Sequence, residues 1–263
     1  MGLNVFVANI KLFVMIMVRV FAALSVSPVF SSTLIRLRHR AAISFMAALV
    51  MLLPVKTFYE ANNYKIPENI IDFGLLIANE ILIGLAIGFF IGIIFVVFQM
   101  AGQLFSIQIG FGISTVIDPL SQIQIPLIGQ FQALLGSLIF FTIDGHLQLF
   151  SSIFYSFKHL PFINMMNMTA DFFKALKWSF VVMFSTALKI ALPIIGTLFL
   201  TSTCMGLLAK AAPQMNILML GFPIKVGIGF ILLVYTMPGF IAKAKDFLNQ
   251  AFIMLYRFLG AVS

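Results

Sequence analysis

Cysteine and histidine are scarce in this sequence, and their scarcity limits the chemistry that it supports. The chain of 263 residues contains one cysteine, Cys204, and three histidines. A single cysteine excludes an intramolecular disulfide and a CxxC metal site, and its apolar neighbours predict a buried side chain. The histidines, His39, His146 and His159, lie in separate connections without the spacing of metal ligands. We therefore expect no metal site.

Motifs for covalent catalysis are also missing. The sequence has no GxxxxGK(S/T) loop for phosphates, no HExxH pair and no GxSxG nucleophile elbow. Gly110-Phe111-Gly112 lacks the third glycine of a dinucleotide fingerprint. We expect neither an enzyme nor a bound cofactor.

Charged residues make up only 9% of the chain, whereas hydrophobic residues make up 62%. An ordinary soluble domain is about 45–50% apolar and about 25% charged. Folding alone could not hide so much apolar surface from water, so lipid or protein partners at the membrane must cover it. The composition predicts an all-α integral membrane protein, and the length predicts a single membrane-embedded domain over residues 1–263.

The net charge of +8 comes from sparse basic residues, with one tight cluster at Arg36, Arg38, His39 and Arg40. Nucleic-acid binding would call for a basic face with interleaved aromatic residues. A short basic turn between apolar segments fits the positive-inside rule better. We expect no nucleic-acid partner.

Six apolar stretches are separated by polar connections. They cover about residues 3–30, 41–55, 81–98, 126–143, 178–209 and 217–242. A full span needs about 20 residues, so the second stretch is short. Residues 56–72 and 157–177 are predicted to be soluble connections.

The interval between Glu80 and Asp144 is too long for one helix across a bilayer of about 30 Å. Glycines, Asp118 and Pro119 break helical continuity and predict a long hairpin with a polar tip at about 99–124. The apolar, glycine-containing part of this tip is equally compatible with an interfacial loop and with a segment that projects into a pore.

Charge placement gives a poor topology. With the basic cluster in the cytoplasm, six alternating spans put Lys243, Lys245 and Arg257 outside. Either some stretches do not span the membrane, or they are buried against other subunits.

Gly84, Gly88 and Gly92 share one helix face and predict a close helix–helix seam. Frequent glycine in membrane helices is the alternative explanation.

Charged residues at or inside apolar stretches require an explanation because each is costly in lipid. For Glu80, Lys189 and Lys225 we favour structural pairing over a proton relay. Lys11 and Arg19 are predicted to snorkel toward the interface.

Several fragments occur in a distinctive order along the chain. They are Pro28-Val29-Phe30 with the cluster at 36–40, Glu80 with its following glycines, Gly102, Gly110-Phe111-Gly112, Asp118-Pro119, Gly145-His146, and the run from Gly206 through Pro213-Gln214-Met215-Asn216 to Gly221-Phe222-Pro223-Ile224-Lys225. Together they resemble the FliR family (SctT in injectisomes) of type III protein export over essentially the whole chain.

The resemblance implies a hetero-oligomeric export gate in the bacterial inner membrane, at the flagellar basal body or in an injectisome. The implied partners are FliP-type and FliQ-type subunits, an FlhB-type switch protein, membrane lipid and unfolded protein substrates. In that family one such chain completes a helical cone of long helix hairpins. Apolar stretches that face sibling subunits would explain the poor topology.

The resemblance also implies roles for two groups of residues. The pore plug would comprise Ser106, Ile109, Gly110, Phe111, Gly112, Ile113, Ser114, Thr115, Val116, Ile117, Asp118 and Pro119. Helix and subunit packing would involve Glu80, Gly84, Gly88, Gly92, Pro213, Gln214, Asn216, Gly221, Phe222, Pro223 and Lys225.

Two other functions are compatible with the sequence. Broken helices at Pro193 and Pro223 with intramembrane lysines could form the midplane site of a small-solute secondary transporter. A non-conducting membrane scaffold is the other alternative. A gate subunit requires heteromeric partners, whereas a transporter works alone or as a homo-oligomer.

Overall fold

The structure is a computed structural model that describes residues 2–31, 35–64, 66–110, 127–160, 165–214 and 216–261. All regular secondary structure within these residues is α-helical. The helices are α1 (Gly2–Val26), α2 (Pro28–Ser31), α3 (Leu37–Ala61), α4 (Ile70–Ile109), α5 (Leu127–Thr142), α6 (Gly145–His159), α7 (Met165–Ala211) and α8 (Ile217–Ala261).

The predicted all-α membrane fold is confirmed. Among the described residues, α1, α3, α4, α7 and α8 are long and apolar enough to cross a membrane. Counting α5 and α6 as one bent pair raises the number of candidate spans to six, which agrees with the six predicted stretches.

The predicted helix boundaries are wrong in several places, because the helices continue beyond the apolar runs. The second stretch extends into the 25-residue α3, so it is not too short to span. Most of the connection predicted at 56–72 belongs to α3 or α4, and most of that predicted at 157–177 belongs to α7. The short helix α6 was not predicted.

Helix ends follow from local backbone chemistry. Pro28 begins α2 directly after Ser27, in keeping with the preference of proline for the first helical position. Asp144 has a positive φ of 56° and separates α5 from α6. Pro213 follows the end of α7 and has no backbone N–H with which to continue the helix.

The described chain forms two compact units built from interleaved segments. The first unit comprises Met1–Ile93, Asp144–Ser179 and Gln250–Ser263, and the second comprises Ile94–Ile143 and Phe180–Asn249. In the first unit α1 packs against α3, where the rings of Phe13 and Phe45 meet edge to face at 5.2 Å.

Cys204 is exposed on α7, so the prediction that it is buried within the chain is wrong. Apolar neighbours in sequence do not ensure burial in a membrane helix, since lipid or another subunit can cover them.

Candidate functional site

A buried ion pair lies in the first unit, between α1 and α4. Nε of Arg19 donates to Oε2 of Glu80, and both side chains are buried. Nη1 of Arg19 donates to Oγ of Ser156 at 2.8 Å, and Nη2 donates to the carbonyl of Leu160 at 3.2 Å. The guanidinium carbon lies 3.7 Å from the ring centroid of Phe157. One cation therefore joins α1, α4 and the end of α6.

This arrangement overturns the prediction that Arg19 snorkels. A charge that no solvent reaches is tolerated only when it is paired and hydrogen-bonded, and each nitrogen of this guanidinium has a partner. The predicted structural pairing of Glu80 matches what the structure shows. No opposite charge pairs with Lys225 within the described ranges.

Lys11 also differs from the snorkelling prediction. Its ammonium donates to the carbonyl of Pro67 at 2.9 Å and lies 5.2 Å from the ring centroid of Phe73. The side chain of Lys11 thus fixes the start of α4 against α1.

The glycines after Glu80 face α1. A Cβ atom on Gly84 would collide with the carbonyl oxygen of Arg19 and would lie 2.8 Å from Cβ of Ala22. On Gly88 it would collide with the carbonyl oxygen of Ala23. At both positions the α1 backbone approaches so closely that a side chain would push the helices apart.

Gly92 is less tightly packed than the two glycines before it. The nearest atom to a Cβ built there is Cδ of Pro28 at 4.0 Å, which is an ordinary van der Waals contact. The residues of α4 that make these contacts run from Glu80 to Gly92. Their partners run in the same direction, from Arg19 in α1 to Pro28 just after it, so α1 and α4 are parallel.

The first predicted plug residues belong to the last turns of α4, in the second unit. Ser106 is buried, and its hydroxyl donates to the carbonyl of Gly102 at 2.8 Å. Ile109 is fully buried. The prediction that the loop starts near residue 99 is therefore wrong, since the helix continues through Ile109.

Gly110 marks the end of α4. Its φ of 105° lies in a region that L side chains rarely adopt, and its N–H donates to the carbonyl of Ile107 at 3.1 Å. The remaining predicted plug residues, Phe111 to Pro119, lie outside the described residues.

The end of α4 is anchored by an apolar cluster of the second unit. The buried members of this cluster are Phe105, Ile109, Ile128, Ile194 and Leu198. The cluster thus draws on α4, α5 and α7, and side chains of α8 pack against it.

Two close approaches near this cluster were missed by sequence reasoning. A Cβ on Gly102 would lie 2.5 Å from Cα of Gly129, so α4 and α5 meet backbone to backbone. A Cβ on Gly229 would lie 2.6 Å from Cδ1 of Ile109. Neither Gly129 nor Gly229 belongs to a GxxxG pattern with a second contacting glycine, so no periodic spacing indicates these contacts.

The run from Pro213 to Lys225 connects α7 to α8 and forms the first turns of α8. Pro213, Gln214 and Asn216 are exposed. Oδ1 of Asn216 accepts from the N–H of Met219 at 3.3 Å and so caps the start of α8.

The following residues of the same run lie inside α8. Gly221 is buried near the methyl group of Met205, whereas Phe222 and Pro223 are exposed and Lys225 is half-buried. Their assignment to subunit packing stays a prediction.

Comparison with known proteins gives a consistent result. Residues 10–251 match the family described as Bacterial export proteins, family 1. The chain is 30% identical over 229 residues to the flagellar biosynthetic protein FliR of Bacillus subtilis (strain 168), covering 86% of this chain and 85% of the relative. It is also 30% identical over 242 residues to the FliR protein of Escherichia coli (strain K12), and the match covers 91% of this chain and 89% of the relative. For the FliR protein of Borreliella burgdorferi the identity is 30% over 269 residues, and the match covers 100% of this chain and 96% of the relative.

Proposed function

The chain belongs to the family of bacterial export proteins, family 1, and on this premise we propose that it is the gate subunit of the flagellar type III export channel. It forms part of the pore through which unfolded substrates cross the inner membrane. The proposal rests on its similarity to flagellar FliR proteins, which extends over 91% of this chain for the Escherichia coli relative.

The apolar surface of α7 supports a subunit that is covered by other proteins. Exposed apolar side chains extend along this helix from Phe180 to Leu208. At about 1.5 Å per residue this distance is about 42 Å, which exceeds a hydrocarbon core of about 30 Å. An upright helix of this length extends beyond the lipid tails, and in the proposed assembly a second protein surface covers the remainder.

The proposed protein partners are FliP-type and FliQ-type subunits and an FlhB-type switch protein. The long helices with exposed apolar faces suit a helical assembly in which hairpins of one subunit pack on those of the next. This arrangement also explains why basic residues do not alternate across the predicted spans.

In the proposed mechanism the chain carries out no covalent step and needs no cofactor. Residues 106–119 form a seal: the buried end of α4 anchors its first residues, and the apolar residues after Gly110 exclude water from a narrow passage. Glycine at position 110 allows the chain to turn away sharply from the helix.

Purification distinguishes the gate from its alternatives. A tagged copy of the full chain, expressed with the FliP-type and FliQ-type proteins of the same organism, should elute as one stable heteromeric complex. The same chain expressed alone should aggregate or give a low yield. A monodisperse monomer or homo-oligomer that takes up a small solute in liposomes would instead establish the secondary transporter.

Function is tested by deletion of the gene in its host. Loss of motility and of secreted flagellar subunits, both restored by the wild-type copy, is the expected result. A deletion strain that assembles the complex of the other subunits and exports normally would contradict the gate function.

A further inference from the structure

One face of α3 carries basic residues at its beginning and exposed apolar residues from Met46 to Leu53. Arg36, Arg38 and His39 are exposed at the start of the helix. We propose that this face is a binding site for an anionic phospholipid of the bilayer, with the headgroup at Arg36 and Arg38 and the acyl chains along the apolar stripe. The inference is independent of the gate function.

The basic residues of this face lack counter-charges in the described chain. The first turn of α3 contains no acidic residue. The ion pairs of Arg19 with Glu80 and of Lys56 with Glu60 involve neither Arg36 nor Arg38. The exposed charges of Arg36 and Arg38 are therefore available to a phosphate group from outside the chain, which a guanidinium can bind in a bidentate manner.

The two sides of α3 differ clearly. The side that contains Ser44, Ala48, Met51, Val55 and Tyr59 is buried, with the spacing of one helix face.

The opposite side forms an exposed apolar stripe. Met46, Val50 and Leu53 are 61%, 77% and 71% exposed, respectively. They follow His39 at intervals of seven, eleven and fourteen residues, which places all four on one face of the helix. His39 and the stripe thus lie on the same side of α3. Arg38 precedes His39 by one residue, about 100° around the helix, and Arg36 lies just before the first turn.

The distance from Arg38 to the end of the stripe matches one leaflet. At about 1.5 Å per residue α3 rises about 22 Å from Arg38 to Leu53. Half of a bilayer of about 40–45 Å, headgroups included, is about 20–22 Å. A lipid whose phosphate contacts Arg38 can therefore lay its acyl chains along Met46, Val50 and Leu53.

The order of charge and apolar surface identifies the occupant. A soluble phosphate ion would use the arginines but would leave the stripe uncovered. A phospholipid carries its charge at one end of an apolar body, in the same order as α3. Each basic residue near an anionic membrane surface contributes about 1 kcal/mol, or about a fivefold change in binding.

Lipid selectivity measured by electron spin resonance tests the proposal. The full chain, in complex with its FliP-type and FliQ-type partners, is reconstituted in phosphatidylcholine nanodiscs with spin-labelled phosphatidylglycerol or spin-labelled phosphatidylcholine of the same acyl chains. Wild-type protein should immobilise phosphatidylglycerol preferentially. The double substitution Arg36→Gln with Arg38→Gln should reduce this preference by about fivefold for each arginine removed.

Matched variants separate a specific site from general charge. Lys245→Gln with Arg257→Gln removes two exposed charges elsewhere and should leave the preference unchanged. Substitution of both Arg36 and Arg38 by lysine retains the charge and should retain most of the preference, which also controls for folding. Equal binding of the two lipids by the wild type, or undiminished preference in the double glutamine variant, would overturn the proposal. Displacement of phosphatidylglycerol by inorganic phosphate at constant ionic strength would overturn it as well, in favour of a soluble anion.

Photo-crosslinking tests the stripe in the assembled complex. A benzoylphenylalanine residue in place of Val50 should form an adduct with lipid that mass spectrometry identifies as an anionic phospholipid. An adduct with a sibling subunit and none with lipid would show that protein covers this face, and the proposed site would then not exist in the complex.

Discussion

Arg19 and Glu80 are 61 positions apart in the sequence, yet they form a direct ion pair in an interior that excludes solvent from both side chains. Their pairing connects α1 to α4, and the additional bonds of Arg19 to Ser156 and Leu160 connect both helices to α6. A single buried cation thus sets the relative positions of three helices in the first unit.

Removal of one member of this pair should destabilise the protein more than removal of both. Arg19→Met or Glu80→Leu alone leaves an uncompensated buried charge and is expected to cost about 3–5 kcal/mol. The double variant should recover a large part of that loss. The measurement is a double-mutant cycle on the thermal unfolding of the chain within its purified complex in detergent.

The exposed pair of Lys56 and Glu60 provides the control for this cycle. Its atoms are 3.7 Å apart at the surface of α3, and Lys56→Gln should cost about 0.5 kcal/mol or less. Additive effects of Arg19→Met and Glu80→Leu, with no coupling, would show that the ion pair does not stabilise the fold.

Substitutions along the α1–α4 seam should differ in severity. Gly84→Leu and Gly88→Leu should strongly reduce folding and complex assembly, because the α1 backbone occupies the space of even a Cβ atom. Gly92→Ala should be mild, since its nearest neighbour is 4.0 Å away. Gly74→Ala on the same helix is the control, because nothing lies within 4 Å. Assembly is read from the yield of the purified complex, and equal yields for Gly84→Leu and Gly74→Ala would contradict the seam.

Near the end of α4, Gly102→Ala should be more damaging than Gly229→Ala. The new methyl group at position 102 would meet the backbone of Gly129, whereas at position 229 it would meet the flexible end of Ile109. Backbone cannot move aside as cheaply as a side-chain tip. A Cβ atom on Gly227 would meet nothing within 4 Å, so Gly227→Ala should have the thermal unfolding temperature closest to that of the wild type. A larger loss for Gly229→Ala than for Gly102→Ala would refute this order.

Disruption of the proposed seal should make the membrane leaky without preventing assembly. Deletion of residues 111–117 should increase ion conductance and slow growth under salt stress, and Ile113→Ser with Val116→Ser should have the same effect at constant length. Water enters a passage more easily when its apolar lining becomes polar. Ser114→Ala with Thr115→Ala is the control and should remain tight.

The design of this deletion depends on where α4 ends. Ser106 and Ile109 are buried in the second unit, so a deletion that begins at residue 106 would disturb the apolar cluster as well as the seal. Purification of the variant complex shows that assembly is intact. An assembled variant with a membrane as tight as wild type would leave residues 111–119 as an interfacial loop.

The sequence predicts the fold class and much of the seam, because both depend on local patterns. Long apolar runs indicate membrane helices, and the four-residue spacing of Gly84 and Gly88 indicates a shared face. The partner of Glu80 was not predicted, since nothing in a local window shows which helix Arg19 will meet. The ends of α3 and α7 were misplaced because helical hydrogen bonding continues through polar residues once the helix is established. The 15-residue α6 has mixed polarity, so its apolar signal was too weak to separate it from a connection.

The first unit also has consequences for biogenesis. Its last segment, Gln250–Ser263, contains Phe258, whose ring lies 4.9 Å from that of Phe90, and Tyr256, whose hydroxyl donates to the carbonyl of Gln148 at 3.4 Å. These contacts join residues that leave the ribosome at very different times. The packing of the first unit can therefore be completed only after Phe258 has been synthesised. Contacts between residues so distant in sequence also form slowly. Until then the apolar surface around Phe90 is open to the insertion machinery, to chaperones and to proteases that recognise unfinished membrane proteins.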